Sequence, residues 1–293
     1  MNLTVILGAL ELGGIFAIMS LGLYISYKVL NLPDLTVDGS FVLGSAVSAV
    51  LTVYCHPYLG IIFSFIVGLI AGAVTGILST KLNIMPLLSG ILTMTGLYSI
   101  NLRIMNETPN ISLFEKTTIF TCLEQYDPYH KIVIIYVIVV LIALFLHYLL
   151  RTQLGLALRA CGDNEDMVKA SSIDTDKMKI LGLALANGFV SMAGAIYAQH
   201  QTFADIQSGT GMMVIGLASI IVGMSLIKKE KLAFQLFAVV FGAIFYRAIL
   251  TVALQLGLPS SDLKLLSALL VIIAISASSL KKRGKKNVRT KEY

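Results

Sequence analysis

Residues 132–146 read IVIIYVIVVLIALFL, fifteen consecutive side chains that are all aliphatic or aromatic. An α-helix needs roughly 20 mostly apolar residues to cross a bilayer. In lipid the backbone must satisfy its own hydrogen bonds, which leaves helices and closed β-barrels as the spanning structures. Barrel strands alternate apolar and polar residues, and this stretch does not alternate. The stretch therefore predicts a membrane-spanning helix.

The composition of the whole chain agrees with this prediction. Hydrophobic residues make up 57% of the sequence and charged residues only 13%, whereas soluble domains carry about 25% charged residues. We predict an all-α, polytopic membrane protein with about nine transmembrane helices, and with eight to ten allowed because the second and fourth are short. The predicted spans are 5–28, 39–55, 58–80, 86–103, 131–150, 177–200, 210–227, 232–254 and 262–280. Residues 1–280 are expected to form one transmembrane domain.

Lys and Arg residues predict the orientation of these spans, because cytoplasmic loops carry an excess of them. Nine spans with the N-terminus outside and the C-terminus in the cytoplasm put most basic residues inside. The sequence KKRGKKNVRTKEY at 281–293 is then a basic cytoplasmic tail that touches anionic membrane lipid. The formal net charge of +6 is explained by this distribution, and nucleic acid is not an expected partner.

The sequence lacks the patterns of common enzyme and metal sites. Four scattered histidines and three cysteines show no metal-ligand spacing, and neither a Gly-x-Ser-x-Gly nucleophile elbow nor a Gly-x-x-x-x-Gly-Lys phosphate loop occurs. We therefore expect no metal site, no cofactor in this chain, no catalytic residue and no ATP hydrolysis by the chain itself.

The stretch 151–176 reads RTQLGLALRACGDNEDMVKASSIDTD and is predicted to be cytoplasmic. It is too long for a plain connection between helices. Leu154, Leu158 and Cys161 can share one face of a helix. The stretch is expected to be a helical docking surface, with a helix lying on lipid as the alternative.

Two short segments resemble each other and suggest an inverted repeat. Asp34 precedes the second span in LPDLTVDGSFVLG, and Asp205 precedes the seventh in FADIQSGTGMMVIG. With one residue inserted, Gly39 matches Gly211 and Gly44 matches Gly216. The first copy leads into an outward span and the second into an inward one, which is the arrangement of an inverted-topology repeat.

Candidate residues for a solute pathway and for helix packing follow from these segments. Acidic residues near membrane depth are costly and often functional, although Asp38 or Ser40 could instead cap the second span. Glu11 and Arg247 lie within apolar runs, and their mutual pairing is one possibility. The candidate pathway residues are Asn31, Asp34, Asp38, Met94, Thr95, Tyr98 and Asp205. A strip without side chains on the third span, expected to let another helix approach closely, consists of Gly68, Gly72 and Gly76.

Three stretches together resemble one transporter family. GLALRACGDNEDMVKASSID at 155–174 resembles the cytoplasmic coupling segment of the branched-chain-amino-acid type of ABC permease, with Ser172 where a Gly is common. GGIFAIMSLGL at 13–23 resembles the first helix of that family. NLPDLTVDGSFVLG at 31–44 resembles the entry to its second helix in a subgroup linked to uptake of aromatic amino acids, tryptophan or tyrosine. The residues that the resemblance assigns to ATPase coupling are Gly155, Arg159, Ala160, Asp163, Asn164, Ala170 and Ile173.

The resemblance implies a non-catalytic permease subunit of a binding-protein-dependent importer in the bacterial inner membrane. Two permease chains, expected to be identical, would sit on two ATPase subunits that bind ATP and Mg²⁺. An extracellular solute-binding protein would deliver the solute, an amino acid and possibly an aromatic one. ATP hydrolysis would act on the segment 151–176 and drive alternating access. The alternative from a different class is an ion-coupled secondary transporter that uses Asp34, Asp38 and Asp205.

Overall fold

The computed structural model describes residues 3–121, 129–227, 231–257, 259, 262, 265–270 and 272. It contains ten α-helices in these residues, joined at two places by short strands. In chain order the elements are α1 (Leu3–Tyr24), α2 (Thr36–Val53), α3 (Pro57–Thr80), α4 (Pro86–Ile104), β1 (Asn110–Ser112), α5 (His130–Leu149), α6 (Gln153–Asp163), α7 (Glu165–Ala170), α8 (Thr175–Gln201), β2 (Phe203–Asp205), α9 (Met212–Leu226) and α10 (Leu232–Gln255).

The all-α, polytopic fold predicted from the sequence is confirmed. Six helices in the described residues are long and apolar enough to cross a membrane: α1 with its continuation to Val29, α2, α3, α5, α8 and α10. α9 is a shorter apolar helix, and α4 is not among the six because polar residues such as Asn101 and Arg103 interrupt it. Of the ninth predicted span, residues 265–270 and 272 are helical. Apart from residue 262, the rest of that span and the tail 281–293 lie outside the described residues, so the count of nine stays a prediction.

α8 lies at the centre of the bundle and packs against α1, α2 and α3. It is the longest helix, with 27 residues, and most of its apolar and small side chains are buried. α1 packs on its other sides against α5, α9 and α10, whereas α4 contacts α2 and α3. Helices as apolar as α3 and α5 leave many large side chains exposed on their outer faces, as expected for surfaces in contact with lipid.

The connection between α1 and α2 combines a π-helical turn with a residue of positive φ. α1 ends in a π-helical turn, Ile25–Val29, and the backbone N–H of Leu30 bonds the carbonyl of Ile25 at 2.9 Å. Asn31 follows with a positive φ of 54°, a conformation that asparagine tolerates better than most residues. Asp34 of the following loop is buried, and the backbone nitrogen of Leu35 lies close to Gly90 of α4.

The two ends of the bundle are formed by different connecting segments. At one end, which we call the α6–α7 end, Lys81 after α3 forms an ion pair with Asp176 of α8 at 3.3 Å, and Gly162 of α6 touches the carbonyl of Val29. At the other, the β1–β2 end, the strands pair antiparallel with Ile111 opposite Ala204. This small sheet was not predicted, because three-residue strands leave no periodic signal in the sequence.

Candidate functional site

The segment formed by α6 and α7 is held against the membrane helices by specific contacts. Arg159 donates from Nη2 to the carbonyl oxygen of Leu150 at 2.9 Å. Gly155 lies so close to Leu149 and Leu150 that a Cβ would collide with their backbone, and Gly162 lies equally close to Val29. These small residues let α6 fold back onto the ends of α5 and α1. Gly155 and Arg159 thus position the segment.

Short side chains shape the turns around α7 and fix its ends. Asn164 accepts a hydrogen bond from the backbone N–H of Met167 at 3.1 Å and caps α7, and Asp174 accepts one from Lys177 at 3.1 Å and caps α8. Asparagine and aspartate are preferred N-caps because they accept from the free N–H groups of a first helical turn. The hydrogen bonds from Lys177 lower the pKa of Asp174.

Glu165 connects α7 to α8. One carboxylate oxygen lies 2.6 Å from Nζ of Lys179, and the other lies 3.0 Å from Nζ of Lys169. The hydrogen bonds from Lys179 and then Lys169 lower the pKa of Glu165. Nearby, burial raises the pKa of the Cys161 thiol. The inner side of the segment is therefore built from buried apolar groups and an ion-paired carboxylate.

The outer side of this segment faces away from the bundle. Met167 is 70% exposed, and Leu154 and Leu156 are also exposed. Exposed apolar residues outside the membrane spans often mark an interaction surface. Four of the residues assigned to coupling share this exposed side: Ala160, Asp163, Ala170 and Ile173.

The glycine strip of α3 faces α8. A Cβ at Gly72 would collide with the carbonyl oxygen of Leu183, and one at Gly76 would lie 2.7 Å from Cα of Ile180. A Cβ at Gly68 would lie 2.5 Å from the Cβ of Ser191. Without side chains at these positions, the two backbones approach closely along most of their length.

Asp34 lies in the interior of the bundle and is only 2% exposed. It accepts hydrogen bonds from the backbone N–H of Thr36 at 2.9 Å and from Nδ2 of Asn187 at 2.6 Å. The hydroxyls of Thr36 and Thr75 bond each other at 2.8 Å. This network joins the start of α2 to α3 and α8, and a pathway role for Asp34 stays a prediction.

Asp38 bonds to a helix that is distant in sequence. Its carboxylate accepts from the backbone N–H of Gly211 at 2.9 Å and from that of Met213 at 2.8 Å. The expectation that Asp38 or Ser40 caps α2 is wrong, since Asp34 accepts from the first turn of α2 while Asp38 caps α9. A carboxylate at a helix N-terminus is also favoured by the helix dipole.

Asp205 repeats the local geometry of Asp34. It accepts from the backbone N–H of Gln207, two residues later, at 2.8 Å, as Asp34 does from Thr36. Such Asx-turns form readily in aspartate-containing loops. The two segments are thus alike at the matched acids and are joined through Asp38, while the full inverted repeat stays a prediction.

The three candidates on α4 do not share one environment. Thr95 and Tyr98 are exposed, whereas Met94 is half-buried and its Cα lies on the side of α4 that packs near Gly39 of α2. Asn31 is exposed at the start of the loop before α2. The structure does not bring these residues together with Asp34, and their pathway role stays a prediction.

Comparison with known proteins identifies the family. The family model described as the permease component of branched-chain amino acid transport systems matches residues 5–276. The chain belongs to this family.

Several curated proteins are similar to this permease. The tyrosine transport system permease protein of Clostridioides difficile (strain R20291) is 39% identical over 267 residues, which cover 91% of this chain and 88% of the relative. An uncharacterized protein of Rickettsia prowazekii (strain Madrid E) is 34% identical over 94% of this chain and 98% of its own length. The ribose import permease protein of Escherichia coli (strain K12) is 24% identical over 71% of this chain and 65% of its own length. No solved structure matches the chain.

Sequence reasoning missed several polar residues in the apolar helices of the permease. Asn187 and Gln199 of α8 are buried, and Gln199 donates from Nε2 to Ser48 and to the carbonyl of Pro57 at 2.9 Å each. His200 bonds Glu11 at 2.9 Å. Their signal was available, because polar side chains within a membrane span usually find a partner inside the bundle.

The two charges that the sequence placed in apolar runs do not pair with each other. Glu11 contacts His200, whereas the guanidinium of Arg247 lies 5.6 Å from the ring centroid of Phe16. A cation over an aromatic face is stabilised by the ring quadrupole. The suggested pairing of Glu11 with Arg247 is therefore wrong.

Proposed function

We propose that this permease is the membrane-spanning subunit of a binding-protein-dependent ABC importer for an amino acid, with aromatic amino acids as the candidate solutes. The observation that carries the proposal is the two-sided construction of α6 and α7. The inner side is fixed to α1, α5 and α8, and the outer side exposes Leu154, Leu156 and Met167. The membership in a family of transport permeases supports the same function, and the name of the tyrosine transport relative supports the solute class.

In the proposed mechanism the α6–α7 segment transmits motion from a separate ATPase. The exposed apolar surface of the segment would bind the ATPase. The ion pair of Glu165 with Lys179 would transmit a displacement of α7 to α8. The family implies two permease chains, two ATPase subunits that hold ATP and Mg²⁺, and an extracellular solute-binding protein. Residues Ala160, Asp163, Ala170 and Ile173 would contact the ATPase, and Gly155, Arg159 and Asn164 would hold the contact surface in place.

The proposed orientation places the α6–α7 end in the cytoplasm and the N-terminus outside. Basic residues support it, since they gather at this end of the bundle. Those in the described residues are Lys28, Lys81, Arg151, Arg159, Lys169, Lys177, Lys179 and Lys231. The β1–β2 end carries fewer, among them Arg103, Lys116 and Lys131.

The docking role is tested with one exposed residue at each end of the bundle. Met167→Asp places a charge on the outer side of α7, and Tyr54→Asp places one at the β1–β2 end, where Tyr54 is 69% exposed. With the permease, ATPase and binding protein reconstituted in nanodiscs, we expect Met167→Asp to lose ATPase co-purification and solute-stimulated hydrolysis. Tyr54→Asp is expected to keep the ATPase bound. Unchanged co-purification of Met167→Asp would support a helix that lies on lipid instead.

The orientation is tested with cysteines at the same two positions in a background without Cys55, Cys122 and Cys161. A membrane-impermeant maleimide added to sealed cells should label Tyr54→Cys and leave Met167→Cys unlabelled until the cells are opened. The reverse pattern would overturn both the orientation and the docking role.

A further inference from the structure

The β1–β2 end of each chain contains a cavity of about 320 Å³. It lies between the loop 113–121, the start of α5 and the end of α8. Liquid water occupies about 30 Å³ per molecule, so the cavity has room for a solute of about ten water volumes. Small-molecule sites in proteins begin near this size.

The cavity is lined by side chains of opposite charge. Lys131, half-buried in the first turn of α5, and Lys116 in the loop both line it. Glu115, beside Lys116, contributes a carboxylate. Among the residues that the structure describes, none of these three side chains forms an ion pair. A half-buried ammonium is costly without an anion, and Lys131 therefore favours a ligand with a negative group.

Two polar side chains of α8 at the cavity, Gln199 and His200, already have hydrogen-bond partners. Gln199 accepts from the backbone N–H of Ile119 at 3.0 Å and donates to Ser48 and Pro57. The Nε2 atom of His200 is bonded to Glu11. The charged groups that line the cavity are the two ammoniums and the carboxylate of Glu115, a set that complements a zwitterion.

The wall of the cavity also has an apolar part. Phe114 is 73% exposed and lines the cavity together with Leu113 and Phe120. An inorganic ion has no need of such a surface, whereas a solute with an apolar side chain would bury it there and gain stability.

One residue connects the cavity to the membrane helices. His200 is half-buried and lines the cavity, packs edge-on against Phe120 with ring centroids 5.8 Å apart, and bonds Glu11 of α1. Its Nδ1 atom is buried and makes no hydrogen bond within the described part of the chain. A ligand that displaces Phe120 or reaches His200 would therefore act on the contact between α1 and α8.

We propose that this cavity is a binding site for a free amino acid with an apolar or aromatic side chain. Lys131 binds the carboxylate, Glu115 binds the ammonium group and Phe114 covers the side chain. The site belongs to a single chain and needs neither ATPase nor binding protein. The identification of its ligand with the transported solute rests on the proposed function.

The test is equilibrium binding of L-amino acids, L-tyrosine first, to the permease alone in nanodiscs. L-Tyrosine should bind more tightly than tyramine, which lacks the carboxylate, and than 3-(4-hydroxyphenyl)propionate, which lacks the ammonium group. Lys131→Gln should weaken binding about tenfold, the size expected for one charge-assisted hydrogen bond, and Lys131→Arg should retain binding. Arg103→Gln removes a basic residue at the same end that does not line the cavity, and it should leave binding unchanged.

Three outcomes would overturn the proposal: no binding of any of the twenty amino acids at millimolar concentration, equal binding of tyramine, or equal weakening by Arg103→Gln. If Lys131→Gln does not fold, Glu115→Gln serves as the second variant and should abolish the preference for L-tyrosine over its deaminated analogue. These results are independent of ATPase association. A permease that couples to its ATPase but fails to bind amino acids would refute the site and leave the proposed function standing.

Discussion

The carboxylate of Asp38 accepts a hydrogen bond from the backbone N–H of Met213 at 2.8 Å, although 175 positions separate the two residues. A second bond from the N–H of Gly211 completes the cap. Gly211 has a φ of 86°, a conformation that favours glycine over other residues. The start of α9 therefore depends on a side chain from α2, and the two helix entries that resemble each other in sequence are joined directly.

Removal of this cap is expected to destabilise the permease. Asp38→Ala leaves two N–H groups of α9 without an acceptor and should lower the free energy of unfolding by about 1–3 kcal/mol. Asp38→Asn keeps one acceptor and should cost less. Thermal unfolding in detergent measures both, with Asp163→Ala on the exposed side of α6 as the control. Equal melting temperatures for Asp38→Ala and the control would contradict the cap.

The bond between Asp34 and Asn187 makes a separate prediction. Asn187→Ala leaves a buried carboxylate with one donor fewer and should destabilise the protein by about 1–3 kcal/mol. Asp34→Asn replaces the carboxylate with a neutral group of the same shape. In a double-mutant cycle the two changes should show a coupling of about 0.5–3 kcal/mol. Additive effects would mean that the 2.6 Å contact contributes nothing to stability.

Substitution by alanine should have opposite effects on stability at two glycines, Gly72 in the contact of α3 with α8 and Gly96 on the open side of α4. Gly72→Ala forces a Cβ against the carbonyl of Leu183 and should cost about 1–3 kcal/mol through overpacking. A Cβ at Gly96 of α4 meets no atom within 4 Å. Gly96→Ala should therefore be neutral or stabilising by roughly 0.5–1 kcal/mol, because alanine loses less backbone entropy in a helix. The melting temperatures of Gly72→Ala and Gly96→Ala test this difference. The larger substitution Gly72→Leu should prevent assembly of the helices altogether.

The ion pairs of Glu165 predict a pH dependence at the α6–α7 end. The bonds from Lys179 and Lys169 lower the pKa of this carboxyl below its usual value, which is about 4.3. A lowered pKa gives a stabilisation that is complete above the usual pKa and is lost as the pH falls through the lowered one. Hydrogen exchange of residues 153–170, corrected for intrinsic rates, should therefore lose protection only in acid below about pH 4.3.

Glu165→Gln should show the reduced protection at neutral pH as well, and Asp163→Asn should behave like the parent protein. Asp163 is a suitable control because it is exposed on the same segment and forms no ion pair with any residue described in the structure. Full protection of Glu165→Gln at pH 7 would show that the apolar contacts of α6 hold the segment without the ion pairs.

The hydrophobicity pattern of the sequence predicted the helical elements of the fold. The long apolar runs predicted the membrane helices, and the mixed stretch 151–176 predicted the helical segment of α6 and α7. α4 marks the boundary of this approach. Asn101 lowers its average hydropathy, yet this residue is buried and its Nδ2 donates to the carbonyl of Gly39 at 3.2 Å inside the bundle.

Long-range partners could not be predicted, for a physical reason. Asp38 carries a local signal that fits a cap on its own helix, and only the packing of α2 beside α9 provides the better donors. The same holds for Glu11, whose partner His200 lies on α8. A sequence reports which side chains are costly in lipid, while the choice of partner depends on how the helices pack.

One unbroken helix, α8, reaches both ends of the bundle and its interior. Its first turns hold Lys179 against Glu165, its middle holds Asn187 against Asp34, and its last residues hold Gln199 and His200 beneath the cavity. At 1.5 Å per residue its 27 residues span about 40 Å. A hydrogen-bonded helix of this length transmits a translation or a rotation from the α6–α7 end to the β1–β2 end. The two ends therefore cannot rearrange independently of each other.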